Sequence, residues 1–377
     1  MKVCYLTSGL SHRDGWSRYS LKVVEGMLKQ GVEPLVLTPT DSGESELSGV
    51  THHPVLLPLF SGGRLTSLRM LALRSRVQRY AVECELVHCL VEPFALLASL
   101  ASARKPIVIT AHGTYAVDHL ARWPLSYIQK WAYRRAESIV CVSRFTECEI
   151  LRRVKLVNTM VLRNGVDYEA LHRNVTGVKS GDGLVILSVG ALKPRKGYDI
   201  SIHAVAEARK SIPDLRYIII GDLGMAGYVE RLRVLVSQLG LENTVHLLGQ
   251  VSETELRGWY HRCDLFLLTP VQVGGAFEGF GLVYLEAAAC GKPAVGSQSG
   301  GVPEAVVDGL TGLLVPEGDV KATADAIVRL LSDPDLSGRL GRAGQERTRE
   351  FSWEAYAQRL ERVYKDVLAR GSGLKWD

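Results

Sequence analysis

The sequence predicts an α/β protein made of two doubly wound parallel-sheet domains. Three observations carry that expectation. The chain has 377 residues, which at roughly 100–200 residues per domain corresponds to about two domains. Short apolar, β-branched runs alternate with longer stretches of helical spacing, the pattern of parallel strands covered on both faces. The alternation pauses once, at 172–183 (HRNVTGVKSGDG), a polar, Gly-containing stretch without periodicity that reads as an interdomain linker.

In the first half, strands are expected at 2–7, 33–38, 53–57, 86–90, 106–110, 138–142 and 158–162. Helical patterns fall at 16–30, 64–80, 94–103, 124–136 and 144–153. The alternation restarts with LVILSVG at 184–190, and further strands follow at 216–221, 245–248, 264–269, 293–296 and 312–315. Helices lie between them at 197–210, 225–239, 252–262, 282–290 and 319–331. From Asp333 to Arg370 the pattern is helical and no strand follows, so this tail must pack on something already formed. The expected organisation is a first domain over 1–171, a linker over 172–183, a second domain over 184–352 and a terminal helix over 353–377 that crosses back to the first domain.

Composition narrows the class. Apolar residues make up 46% of the chain and the net charge is only +5, which excludes global disorder. The charge is uneven: residues 1–167 hold 21 Lys+Arg against 14 Asp+Glu, whereas residues 168–377 hold 24 against 26. A basic first half favours anionic partners such as phosphates or membrane headgroups. The seven cysteines form no CxxC pair and sit mostly in apolar runs, as buried reduced thiols of a cytoplasmic protein would. No signal peptide and no run of about 18 apolar residues is present, so a soluble or peripheral protein is expected.

Ligands in open α/β sheets bind beyond the carboxyl ends of strands, so the loops after strands are the candidates. The first, SGLSHRDGWS (8–17), places Gly15 at the start of a helix, either as an ordinary loop glycine or as a close-approach point for an anion. The second places His112 directly after PIVIT, either as a satisfied structural histidine or as a group facing the cleft. The third, GALKPRKG (190–197), carries Lys193, Arg195 and Lys196 at a helix start, a better anion clamp than a solvated charge run. The fourth runs from Gly274 to Pro293 and leads a Gly-rich loop into an apolar helix. Its first amides, at Gly281, Leu282 and Val283, are placed to receive a phosphate. Glu278 lies in that loop and Glu286 within the helix, too far apart for a close dyad on one helix face. If buried, Glu286 needs polar partners such as ribose hydroxyls. There is no GxxxxGK[ST] and no HExxH, and SDPD (332–335) reads as a helix N-cap followed by Pro rather than a metal site.

At these loops the sequence resembles the retaining glycosyltransferases of family 4, which have the GT-B fold of two facing Rossmann-like domains. The resemblance covers nearly the whole chain. It is strongest over Phe277–Pro293, where Glu278 and Glu286 stand in the family's E-x7-E spacing. VLRNGVD (161–167), SVGALKPRKG (188–197), LLGQVSETEL (247–256) and SGGVPEAVVDGLTGLLVPEGD (299–319) match in order. It implies retaining transfer of a sugar from a nucleotide-diphosphate sugar to an acceptor hydroxyl, with no metal and no other cofactor. It also implies site roles. Lys196 and Arg195 would neutralise the diphosphate, aided by amides at Gly281, Leu282, Val283 and Gly15. Glu286 would hold the ribose and the main chain at Val251 the base. Glu278 would bind sugar hydroxyls, and His112 would contact the sugar at the reacting centre. Two departures stand out. Ala191 occupies the position where the family often has Arg, with Lys193 or Arg195 as the replacement charge. DGW (14–16) replaces the family's Gly pair, so that Asp14 is expected to project toward acceptor or sugar.

The acceptor is not legible. Residues 64–80 and 122–135 interleave Arg and Lys with apolar and aromatic side chains, which suits either a solvated basic helix face or an anionic membrane surface and a lipid-linked acceptor. Weighed against transfer are a nucleotide-sugar epimerase or phosphorylase of the same fold and a non-catalytic nucleotide-sugar sensor. Nucleic-acid binding is disfavoured, because no such motif accompanies the charge.

Overall fold

A computed structural model of the chain describes residues 1–12, 14–59, 72–121, 125–173 and 183–371. The chain divides into two compact units: Met1–Gly165 together with the segment from Trp353, and Val166–Ser352. Each holds one parallel sheet.

In the first unit, β1 (Lys2–Leu6), β2 (Glu33–Pro39), β3 (Thr51–Leu56), β4 (Leu86–Cys89), β5 (Ile107–Ala111), β6 (Ser138–Cys141) and β7 (Thr159–Val161) pair in the order β3-β2-β1-β4-β5-β6-β7. Every residue of β4, β5 and β6 is buried. A parallel sheet is covered on both faces, so these strands read as continuous apolar runs rather than alternating ones. Tyr5 pairs with Val36 on one side and His88 on the other, so the order reverses at the β1/β4 junction. The second unit arranges β8 (Val185–Val189), β9 (Arg216–Ile220), β10 (Val245–Gly249), β11 (Leu265–Leu268), β12 (Ala294–Ser297) and β13 (Gly312–Val315) in the order β10-β9-β8-β11-β12-β13. Its reversal lies between β8 and β11.

The terminal helix Trp353–Gly371 belongs to the first unit. Tyr356, Ala357, Leu360, Val363, Tyr364 and Val367 recur at helical spacing and share one buried cluster with Val3, Tyr5, Tyr19, Val23, Val24 and Met27. The tail is not one helix: Pro334–Thr348 is followed by a 3-10 turn at Arg349–Phe351, and Ser352 is extended. Asp333 caps Pro334–Thr348 by accepting the Leu336 N–H at 2.9 Å, as the SDPD reading expects.

The first unit ends at Gly165 rather than at 171. The short helix Tyr168–His172 packs on the second unit, where the Leu171 carbonyl accepts from His261 Nε2 at 2.7 Å. Most of the expected linker, residues 174–182, lies outside the described residues, as does 64–71 of the expected 64–80 helix. Three short helices, Thr114–Ala121, Tyr168–His172 and Val302–Ala305, were not among the sequence expectations. All seven cysteines are free, and Cys148 is exposed rather than buried. No helix among the described residues is long and apolar enough to cross a membrane.

Candidate functional site

In the second unit, the loops that follow β8 and β11 meet at the sheet's reversal. Lys193 leads into a 3-10 turn, Pro194–Lys196, which Gly197 ends in a left-handed conformation at φ 66°. A Cβ on Gly197 would lie 1.9 Å from the Thr269 carbonyl oxygen, so only glycine lets this turn reach the end of β11. Thr269 Oγ1 donates to the Gly197 carbonyl at 2.8 Å, and the Val271 N–H donates to the Arg195 carbonyl at 2.9 Å. These bonds fasten the two loops together.

The fastening places Arg195 and Lys196 against Glu278. Lys196 Nζ lies 2.6 Å and Arg195 Nη1 2.8 Å from Glu278 Oε2. The Lys196 and Glu278 side chains are only 10% and 11% exposed, so the pair is largely removed from water. Burial pushes the Glu278 carboxyl up, but the Lys196 ammonium and then the Arg195 guanidinium outweigh it and hold it down at about 2. Burial is also the main influence on Lys196 and lowers it, with Glu278 opposing. The Glu278 main chain is fixed by the Gly301 N–H, which donates to its carbonyl at 2.8 Å.

Gly281, at φ 88°, starts the helix Leu282–Ala289. A Cβ there would meet the Tyr284 ring at 2.7 Å, which explains a glycine at this helix start. The amides of Gly281, Leu282 and Val283 thus open a helix, where N–H groups lack intrahelical partners. Glu286 is buried on this helix and accepts from Tyr260 Oη at 2.6 Å. Tyr260, on the helix Glu253–Arg262, is a site neighbour that the sequence reading missed. Val251 lies in the loop after β10, and Ala191 in the loop after β8.

The first unit presents a separate group of candidates. His112 follows β5 and is held from the segment after β4. Its Nε2–H donates to the Leu90 carbonyl at 2.7 Å, and its backbone N–H donates to Glu92 Oε1. The Tyr19 ring stands edge-on to the imidazole at 4.4 Å. Burial is the main influence on His112 and lowers it to about 4, so it is neutral near pH 7. With Nε2 donating, Nδ1 is the acceptor nitrogen.

The structure corrects the expectation for Asp14. Its carboxylate, although exposed, turns back onto its own helix start. Oδ1 accepts the N–H groups of Trp16 at 2.9 Å and Ser17 at 3.0 Å, and Oδ2 accepts from Ser17 Oγ at 2.7 Å. Asp14 is the N-cap of the helix Gly15–Lys29 and satisfies the amides that an incoming phosphate would use there. Gly15 therefore sits beside a capping carboxylate at that helix start. The capping preference of Asp before a helical run was the available signal.

Comparison with known proteins adds a second kind of finding. Residues 13–170 match the family model described as Glycosyltransferase Family 4, and residues 173–347 the one described as Glycosyl transferases group 1. The chain is 33% identical over 288 residues to the GDP-mannose-dependent alpha-(1-6)-phosphatidylinositol monomannoside mannosyltransferase of Mycolicibacterium smegmatis, covering 71% of this chain and 72% of that protein. It is 30% identical over 262 residues to an uncharacterised glycosyltransferase of Methanocaldococcus jannaschii, covering 70% and 69%. The fold is similar to that of Anabaena HepE in a crystal structure with UDP and glucose, at a TM-score of 0.83 and 23% identity, covering 97% of this chain and all of that one (100%).

Proposed function

The chain belongs to the family 4 glycosyltransferases and has their GT-B fold; from that premise we propose that it moves a sugar from a nucleotide-diphosphate donor to an acceptor hydroxyl with retention and without a metal. The observation that carries this reading is the Lys196–Arg195–Glu278 cluster at the reversal of the second sheet. Departure of a nucleoside diphosphate develops negative charge, which fixed cations and helix-start amides stabilise. Lys196 and Arg195 supply the cations, with the Gly281, Leu282 and Val283 amides beside them. Glu278 then exchanges part of its internal pairing for sugar hydroxyls. Glu286 holds the ribose and the Val251 main chain holds the base. His112 offers Nδ1 to the donor sugar. Gly15 contributes less than the family pattern implies, because Asp14 already caps that helix.

The donor is taken from two sources. The mycobacterial relative is named for GDP-mannose, and HepE was crystallised with UDP and glucose. The same relative is named for a phosphatidylinositol mannoside acceptor, which supports a lipid-linked acceptor and peripheral contact with an anionic membrane. A thermal-shift series with GDP-mannose, UDP-glucose and ADP-glucose tests the donor reading. One of the three is expected to raise the unfolding midpoint at concentrations well above its Kd, and Lys196→Ala to abolish the rise. No shift with any of them overturns the proposal.

A further inference from the structure

Glu92 follows β4 and opens the 3-10 turn Glu92–Phe94. It is 1% exposed. Oε1 accepts the backbone N–H of His112, while Oε2 is buried and has no hydrogen-bond partner among the described residues. The titratable groups that feel its charge are Cys89 on β4, Cys141 on β6, Tyr133 on the helix Leu125–Arg135 and Tyr19 on the helix Gly15–Lys29, and His112 after β5 meets it through its backbone N–H. Burial pushes the tyrosines and cysteines up and His112 down, so each is neutral near pH 7. An ionised Glu92 would be a buried charge facing no cation in that set, with one oxygen receiving no donor.

We propose that Glu92 is a positioning residue for sugar transfer, held as a neutral carboxylic acid whose carbonyl oxygen anchors the His112 main chain. Together with the Leu90 carbonyl it fixes both the backbone and the ring of His112. Burial raises the Glu92 carboxyl to about 8, in agreement with that state. Ionisation at higher pH creates an uncompensated buried charge. Local opening relieves that charge and releases the His112 anchor. The sign of the stability effect follows. The folded chain keeps a proton that the unfolded chain gives up, so this contribution is complete below the ordinary carboxylate range and is lost as pH rises toward 8. The role of His112 in the reaction rests on the proposed function, whereas the protonation state of Glu92 does not.

The test uses the full chain labelled with ¹⁵N-histidine, the His112 amide being assigned by its loss in His112→Gln. The wild-type amide is expected to shift through one titration centred near pH 8 and to stay still in Glu92→Gln. UDP-glucose and GDP-mannose serve as hydrolysis probes. The wild-type rate with the accepted donor is expected to fall about tenfold per pH unit above that midpoint, and Glu92→Gln to lose this alkaline fall. Glu92→Ala is expected to lower kcat about tenfold or more with KM within about twofold. A wild-type amide that titrates below pH 6, or does not titrate, overturns the proposal, as does the same titration persisting in Glu92→Gln. Failure to hydrolyse either donor counts against the donor reading alone, because the amide titration is read without substrate. The wild-type midpoint decides the matter even where Glu92→Gln fails to fold.

Discussion

At the scale of single residues, the second-unit site is one charge cluster whose parts depend on each other. Removing Lys196 leaves Glu278 buried with Arg195 as its remaining ion-pair partner among those described. Stripping one partner from a buried pair is costlier than removing both. Lys196→Ala is therefore expected to lose about 2–3 kcal/mol in urea unfolding at pH 7, and Lys196→Ala with Glu278→Gln to recover much of it. Turnover stays reduced by orders of magnitude in both, and an equally unstable double variant would refute the coupling. Glu278 is held at about 2 against an ordinary 4.5, so its contribution is complete above 4.5 and fades as pH falls toward 2. The cations and the E-x7-E spacing were each visible in the sequence. Their contact was not, because 83 residues separate Arg195 from Glu278 and only the strand order brings them together. Glu92 was passed over although it is a lone carboxyl directly after the apolar run LVHCLV.

At the scale of elements, the terminal helix is bound to the first unit by packing and by a buried polar chain. Tyr364 Oη lies 2.6 Å from His88 Nδ1, His88 Nε2 lies 2.9 Å from Thr110 Oγ1, and Tyr19 Oη lies 3.2 Å from Thr110 Oγ1 and 2.5 Å from Tyr356 Oη. The helix Gly15–Lys29 approaches so closely at Gly26 that a Cβ there would stand 2.9 Å from Ala357 Cβ. Gly26→Leu is expected to lose about 1–3 kcal/mol by overpacking and to speed proteolysis next to Ser352. Tyr364→Phe is expected to lose about 1–2 kcal/mol, because the buried His88 Nδ1 loses the hydroxyl it is bonded to. Wild-type midpoints in both would show that the helix is not held this way. The helical period of this tail was legible over five turns, and a strandless tail needs a partner, but which partner it takes was not written in its period. The helices Thr114–Ala121, Tyr168–His172 and Val302–Ala305 were not legible, because eight, five and four residues offer too little period to stand out.

At the scale of the whole molecule, the positive surplus lies in residues 1–167, with 21 Lys+Arg against 14 Asp+Glu, while the half that holds Arg195 and Lys196 is slightly acidic. The Arg195–Lys196–Glu278 cluster is thus a local feature that bulk charge conceals, and the positive surplus lies outside it. The helix Leu125–Arg135 shows where aromatic side chains join it. Tyr127 and Trp131, one turn apart, are 70% and 44% exposed, and Lys130 and Arg134 lie beside them in sequence. Exposed Trp and Tyr flanked by cations suit the boundary between headgroups and acyl chains, where each Lys or Arg near an anionic surface gains about 1 kcal/mol. The full chain is therefore expected to float several-fold more with phosphatidylglycerol-containing vesicles than with phosphatidylcholine alone at about 50 mM salt. Screening at about 0.5 M salt should abolish the difference, because the Debye length then falls to a few ångströms. Trp131→Ser with Tyr127→Ser should weaken flotation at both salt concentrations, since it removes apolar insertion, whereas Lys130→Gln with Arg134→Gln should weaken it only at low salt. Equal flotation with neutral and anionic vesicles at low salt would refute membrane attraction and leave these side chains as a solvated helix face.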